Sequence, residues 1–297
     1  MVAVDVIIRT TAEKSRHESL QRAIDSILVQ EHVSARPIIV ANGNRYEPET
    51  LKTLAARRDI LFTHFEPGSA GRAILVGRSL VTAPYFAFLD DDDELMPLSI
   101  WKRLQPFISS PDADLVVSNG YFASGGDAIR VDIENFERCQ ADPLVDIIDR
   151  CWLSSCGGLF KKSSFSQEFF SDDADYLEWT LLAFRIAQKK YKIVFIDELL
   201  YKINNTRNSL SKTVEYSNSW VGMLEVMRNY ELPRRAKRLL ERKYRNALHI
   251  QAKHLHEDGK YFLAWQSHLR SLLPPHTLRF ILFTRKILFP AKSKRNS

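Results

Sequence analysis

The chain has 297 residues, 45% hydrophobic and 26% charged, the make-up of a globular protein of roughly two domains. Three cysteines (Cys139, Cys151, Cys156) exclude a disulfide framework and lack zinc spacing; no run of 18 apolar residues offers a conventional membrane-spanning helix. The net charge of +6 is uneven, because residues 234–297 hold 16 Lys and Arg against three acids, a balance of +13, while the first 233 residues balance at −7. An acidic body with a basic end predicts an anionic partner for that end. The opening MVAVDVIIRTT has no cationic start before an apolar core, so no signal peptide is expected, and the odd cysteine count fits a reducing compartment such as the cytoplasm.

Strand and helix patterns alternate through the first hundred residues. Val4 to Thr10 is a β-branched run and reads as a buried strand. Leu20, Ala23, Ile24, Ile27 and Leu28 recur at helical spacing between Arg16 and Gln30. Pro37 to Ala41 is a second strand, stopped by Asn42-Gly43-Asn44. A helix over Pro48–Arg58, a strand over Ile60–Phe65 and a short helix over Ile74–Leu80 follow. Pro84 to Leu89 is a fourth strand that runs straight into Asp90, Asp91, Asp92 and Asp93. Repeated βα units predict a mostly parallel sheet covered by helices, with ligands beyond the carboxyl ends of its strands. Further on, helices are expected over Ser99–Ile108 and Glu178–Lys189, and strands over Asp114–Asn119 and Ile193–Asp197. From Trp220 the pattern is helical up to Pro274-Pro275, and again from Leu278 to Phe289. The composition shifts near residue 215, which divides a region 1–214 from a basic helical region 215–297.

Four adjacent carboxylates after six apolar residues point to a divalent cation; a solvated acidic turn is the plainer alternative. Hard oxygens suit Mg²⁺ or Mn²⁺, which take one or two carboxylates and complete their shell from substrate phosphates.

Taken together, Val6 to Thr10, Ser26 to Gln30, Ile38 to Gly43, Tyr85 to Leu95 and Gly157 to Lys162 resemble a family 2 glycosyltransferase with the GT-A fold, of the type that builds bacterial surface polysaccharides. The resemblance covers roughly residues 4–210, and the aspartate run is its most specific element. It implies an α/β, Rossmann-like architecture with a donor half of about 1–97 and an acceptor half of about 98–214. It also implies inverting transfer from a nucleotide-diphosphate sugar, most simply a UDP-sugar, to a hydroxyl of a glycan or lipid-linked glycan, with Mn²⁺ or Mg²⁺ as cofactor.

Position by position, Asp92 would contact the metal, and Asp90 the donor ribose or the metal's water shell. Asp91 would assist, and Asp93 would assist or cap the next helix. Thr10 and Arg9 fall where the first strand's loop holds the nucleotide. The family's base-reading aspartate pair is replaced by Ala41 and Asn42; the Asn42 amide can still meet a uracil edge, or Asn42-Gly43 is a simple turn. Where the family has Ala-Arg-Asn the chain reads Ala73-Ile74-Leu75, so Arg72 and Arg78 are candidate cations for the diphosphate, or solvated helix residues. The family's Glu-Asp pair falls on Glu178-Trp179, which makes Glu178 the expected base, with Asp175 and Asp173 behind it. Alternatively these acids, with Asp172, merely favour a helix N-terminus. Trp152 and Trp179 are either sugar platforms or core residues.

The apolar and cationic pattern of Leu278–Phe289 is that of a helix lying on an anionic membrane, or of a cap on the sheet. No nucleic-acid reading module accompanies it, so no nucleic-acid partner is expected. His249 and His256 share a helix face, but the sequence offers no acid there to complete a metal set. Two rival functions are a degenerate, non-catalytic sugar-nucleotide or glycan-binding subunit, and a nucleotidyltransferase. The second lacks a Gly-rich phosphate loop after the first strand.

Overall fold

In a computed structural model the described residues are 1–123, 130–170, 177–204, 214–274 and 280–288. They form two compact units, one of residues 1–147 and 151–209, the other of residues 148–150 and 210–297.

The first unit is built on one sheet. Its strands are β1 (Val2–Thr10), β2 (Val33–Asn42), β3 (Leu61–Phe65), β4 (Tyr85–Asp90), β5 (Glu94–Leu95), β6 (Leu115–Ala123), β7 (Arg130–Val131), β8 (Gly158–Lys161) and β9 (Ile193–Asn204). They run in the order β3-β2-β1-β4-β8-β6-β9-β5, with β7 beside β6. The β3-β2-β1-β4 half is wholly parallel, as expected of repeated βα units. Antiparallel β8, inserted between β4 and β6, makes the other half mixed. Val4, Val6, Ile7 and Ile8 are all fully buried, as a strand covered on both faces requires.

The helices of this unit are α1 (His17–Leu28), α2 (Pro48–Ala56), α3 (Ala70–Ser79), α4 (Ser99–Ser109), α5 (Phe136–Ala141), α6 (Pro143–Asp149, which runs past its edge) and α7 (Glu178–Gln188). Leu20, Ala23, Ile24 and Ile27 carry α1 onto the core formed with Val6, Ile8, Ile39 and Leu89. Helix α3 starts four residues before Ile74 because Ser69 caps it, its hydroxyl accepting from the Arg72 N–H at 3.2 Å. Gly77 lets α3 lie against β1, where a Cβ would stand 2.4 Å from Ile7 Cγ2. An aromatic cluster fills another part of the interior. Phe86 stacks on Phe160 with ring centroids 5.2 Å apart, and Phe88 meets the Trp179 edge at 4.9 Å.

One buried acid clamps the start of the parallel half. Asp5 accepts from Arg36 Nε at 2.9 Å, from Arg36 Nη2 at 3.0 Å, and from the backbone N–H groups of Thr82 and Ala83 at 2.8 and 2.9 Å. It thereby fixes the chain where it enters β4.

The second unit contains α8 (Val214–Arg228), α9 (Arg234–Glu257), α10 (Tyr261–Ser271) and α11 (Ile281–Leu288). Ala236, Leu240, Tyr244, Leu248 and Ala252 form the buried stripe of α9 at four-residue spacing. Phe283 and Ile287 of α11 pack on Ala252, and His249 stacks on Phe280 at 4.2 Å, an aromatic packing role. The expected ends of the last helix, Leu278 and Phe289, lie outside the described residues.

Candidate active site

Strand order reverses between β1 and β4, because β2 and β3 extend from one side of β1 and the later strands from the other. Ligands of doubly wound sheets sit beyond the carboxyl ends at such a switch point. The register there pairs Arg9 with Asp90, so the end of β1 and the start of the aspartate run stand side by side.

A turn closed by the Asp93 N–H donating to the Asp90 carbonyl at 3.2 Å points the four carboxylates in different directions. Asp90 Oδ1 accepts from Arg9 Nη2 at 3.3 Å, and Oδ2 from Ser155 Oγ at 2.7 Å. Asp92 Oδ2 accepts from Arg16 Nη1 at 2.8 Å. Asp91 and Asp93 are buried. Asp91 accepts from Thr10 Oγ1 at 2.6 Å and from Arg16 Nη1 at 3.0 Å. Burial pushes its carboxyl up to about 6, with Arg16 pulling the other way.

Asp93 accepts from the Asn204 N–H at 2.9 Å and from Cys156 Sγ at 3.2 Å. Both its oxygens are thus engaged inside the protein, and α4 is preceded instead by Leu98 in a left-handed conformation, so Asp93 is no helix cap. Burial, and then the Asp90 charge, push Asp93 up to about 8. Its folded pKa lies above the ordinary 3.8, so the native state holds one proton more than the unfolded chain between those values. That contribution is fully present below about pH 4 and is lost as pH rises towards 8, by at most about 1.4 kcal/mol per pH unit. Asp93→Asn, which imitates the protonated carboxyl, removes this slope. Urea unfolding of both proteins in chelator between pH 5 and pH 8 checks it, and parallel pH profiles would refute it.

Glu178 opens α7, and its Oε1 accepts from Arg9 Nη1 at 2.9 Å. One guanidinium therefore joins the expected base to the aspartate run. Burial alone would lower the Arg9 pKa, but Glu178 and Asp90 more than offset it, so Arg9 stays charged. The Arg9 guanidinium also lies 5.5 Å from the centre of the Trp179 ring. Trp179, packed on Phe88, is thus a wall behind Arg9. Asp175, Asp173 and Asp172 lie outside the described residues.

The other candidates separate. Thr10 Oγ1 donates to Asp91 and accepts from the Ala12 N–H at 2.9 Å, so it shapes the loop after β1 and supports the run. Asn42 Nδ2 donates to the Thr10 carbonyl at 3.1 Å, tying the ends of β1 and β2. Arg72 is exposed over the Phe65 ring at 4.8 Å. Arg78 turns away from the site: its Nη2 donates to the carbonyls of Phe165 (2.5 Å) and Lys162 (3.3 Å), and its guanidinium covers Phe86. Trp152 is 1% exposed and donates to the Pro143 carbonyl at 2.9 Å, which makes it a core residue rather than a sugar platform. Cys156 is fully buried, and burial raises its thiol well above the usual range, so it is no nucleophile.

Sequence reasoning missed three participants. Arg16, in the loop after β1, bridges Asp91 and Asp92. Ser155 holds Asp90. Asn204, at the end of β9, donates through Nδ2 to the Asp92 carbonyl at 2.7 Å and to Glu94 Oε1 at 3.0 Å. The weak signal for Ser155 was its place just ahead of Cys156-Gly157-Gly158; nothing marked Arg16 or Asn204.

The carboxylates suit a hard cation in number. Among the described residues no group of three or more His, Cys, Asp or Glu converges as a cage. Asp90 and Asp92 are the two that are not turned into the protein, with 38% and 17% of their side-chain surface exposed. Two carboxylates fit an ion that draws its remaining ligands from substrate phosphates and water.

The sheet order and its parallel half define this chain as an α/β protein whose acidic cluster stands at the switch point between β1 and β4. The chain belongs to glycosyl transferase family 2, whose model matches residues 5–167. It is a glycosyltransferase with the GT-A fold. An uncharacterised glycosyltransferase of Rickettsia prowazekii is 25% identical over 224 residues, 72% of this chain and 70% of that protein. One of Rickettsia typhi matches over the same shares. The crystal structure of S. aureus TarS residues 1–349 superposes with a TM-score of 0.61 at 12% identity, covering 91% of this chain and 80% of that one. The same TarS segment in complex with UDP-GlcNAc gives 0.61 at 13% identity, over 97% and 88%.

Proposed function

We propose that this glycosyltransferase moves a sugar from a nucleotide-diphosphate donor, a UDP-sugar, to a hydroxyl of a glycan or lipid-linked glycan, with inversion. The observation that carries the reading is the joining of Asp90 and Glu178 by Arg9 at the switch point. Donor-side and acceptor-side carboxylates then flank one cleft. The TarS complex with UDP-GlcNAc supports the donor class. Glu178 takes the proton of the acceptor hydroxyl while that oxygen attacks the anomeric carbon from the face opposite the leaving group. The bond from that carbon to the diphosphate breaks, and the configuration inverts. Asp92, with Asp90, would hold Mn²⁺ or Mg²⁺, which supplies charge neutralisation to the departing diphosphate. Arg16, already between Asp91 and Asp92, keeps the acidic run folded before the donor arrives.

The test is binding and turnover with a panel of nucleotide sugars, with Mn²⁺ and again in chelator. UDP-sugars should bind and release UDP, and chelation should abolish release. Tight binding without any release would make the protein a binding subunit; a donor that is not a nucleotide sugar would overturn the reading.

For the second unit the fitting partner is an anionic membrane surface. No helix among the described residues is long and apolar enough to cross a membrane. Yet Phe262 and Leu282 are 82% and 83% exposed, with Leu269, Leu273 and Ile281 also outside. On α10, Phe262 and Leu269 lie two turns apart on the side opposite buried Ala264, Ser267, His268 and Ser271. Exposed apolar groups within a +13 segment match a helix surface that lies in the interface, where each nearby cation adds about 1 kcal/mol. The chain should sediment with phosphatidylglycerol vesicles and not with phosphatidylcholine, and come off in high salt. Absence from both vesicle types would remove this partner.

A further inference from the structure

Arg9 holds a position that binding a diphosphate does not require. Its side chain is 14% exposed, and both ends of its fork are taken by carboxylates, Glu178 at 2.9 Å and Asp90 at 3.3 Å. Nη1 also reaches the Ala70 carbonyl at 3.5 Å, at the start of α3. The Trp179 ring limits where the guanidinium can move. Among the described residues Arg9 is the one hydrogen-bond partner of the Glu178 side chain, and it takes Oε1 alone. In the proposed reaction it is Oε2 that would take the acceptor proton.

We infer that Arg9 is a positioning residue that sets the Glu178 carboxylate for the acceptor hydroxyl and couples that setting to the donor through Asp90. The inference rests on Glu178 being the base. A guanidinium is a rigid planar fork, so its two arms cannot adjust independently. The arm to Asp90 is the longer and weaker, and it yields first when Asp90 turns to the donor. The guanidinium then bears more fully on Glu178. Before the donor arrives, the same cation lets the two carboxylates share one half-buried cleft. A lysine cannot do this, because its single ammonium lacks the fork.

The experiment compares Arg9→Gln, Arg9→Lys, Glu178→Gln and the double variant Arg9→Gln/Glu178→Gln. The readout is UDP release from UDP-GlcNAc with Mn²⁺, water serving as acceptor when no sugar is added. Thermal unfolding of each protein checks that it is folded, and Arg9→Lys, which keeps the charge, serves if Arg9→Gln does not fold. We expect kcat to fall about 100-fold for both Arg9 variants, the scale of a misplacement of roughly 1 Å, with donor KM within threefold of native. In the Glu178→Gln background Arg9→Gln should add less than a threefold loss. A tenfold rise in donor KM with kcat retained would show Arg9 to be a diphosphate contact, and multiplying losses in the double variant would show that it does not act through Glu178. Either overturns the inference. Native kcat in Glu178→Gln defeats the base assignment itself; a dead Glu178→Gln beside a fully active Arg9→Gln defeats only the role of Arg9.

Discussion

Glu178→Gln lowers the rate of sugar transfer by about 10²–10⁴-fold, the usual contribution of a positioned general base. The amide keeps the size of the side chain and can still accept from Arg9, so the N-terminal turn of α7 and the Trp179 wall should stay in place. What is lost is the ability to take a proton. Donor affinity should therefore move by no more than a few-fold, because Glu178 reaches Asp90 only through Arg9. Steady-state UDP release and calorimetric UDP binding, measured on the same preparation, separate the two effects. A variant that binds and turns over like the native chain would send the search for the base to Asp175 and its neighbours.

Asp92→Ala acts on the other side of the cleft. A divalent cation on a leaving diphosphate is worth several kcal/mol, so if Asp92 is its principal carboxylate, as proposed, the loss should slow release about 10³-fold. It should also make what remains insensitive to Mn²⁺. The fold should survive, since Arg16 keeps Asp91 at 3.0 Å, and Asn204 binds the Asp92 main-chain carbonyl, which the substitution leaves intact. Release assayed across a Mn²⁺ titration decides it. Native activity with an unchanged Mn²⁺ response would mean that Asp92 holds no ion.

The parts of this molecule legible in the sequence are those written in short-range patterns. The apolar run of β1, the helical stripe of α1 and the abrupt passage from Leu89 to Asp90 each depend on neighbours within a few residues. What those carboxylates touch was not legible. Asp91 and Asp93 are buried by the turn after β4, and their partners Arg16, Cys156 and Asn204 come from distant places in the chain. The β8 strand escaped because four residues opening on glycine carry no alternation. Arg78, open in the sequence between a cation for the cleft and a solvated helix residue, is neither, and the phase of α3 held the answer. It falls seven residues after Gly71 and four after Ile74, on the buried stripe, where its charge is met by main-chain carbonyls. The basic end was visible as charge and as the apolar and cationic pattern of Leu278–Phe289; only burial showed that Phe262 and Leu282 stay outside.

The pairing of Arg9 with Asp90 across β1 and β4 has a consequence for how such a chain can change. Side chains alternate faces along a strand, so deleting or inserting one residue within β1 would move Ile8 or Thr10 into the slot beside Asp90 and turn Arg9 to the opposite side. Point changes at the cleft alter one contact at a time. A change of length in this strand would part Arg9 from both Asp90 and Glu178 in a single event, so length variation should gather in the connections and spare β1.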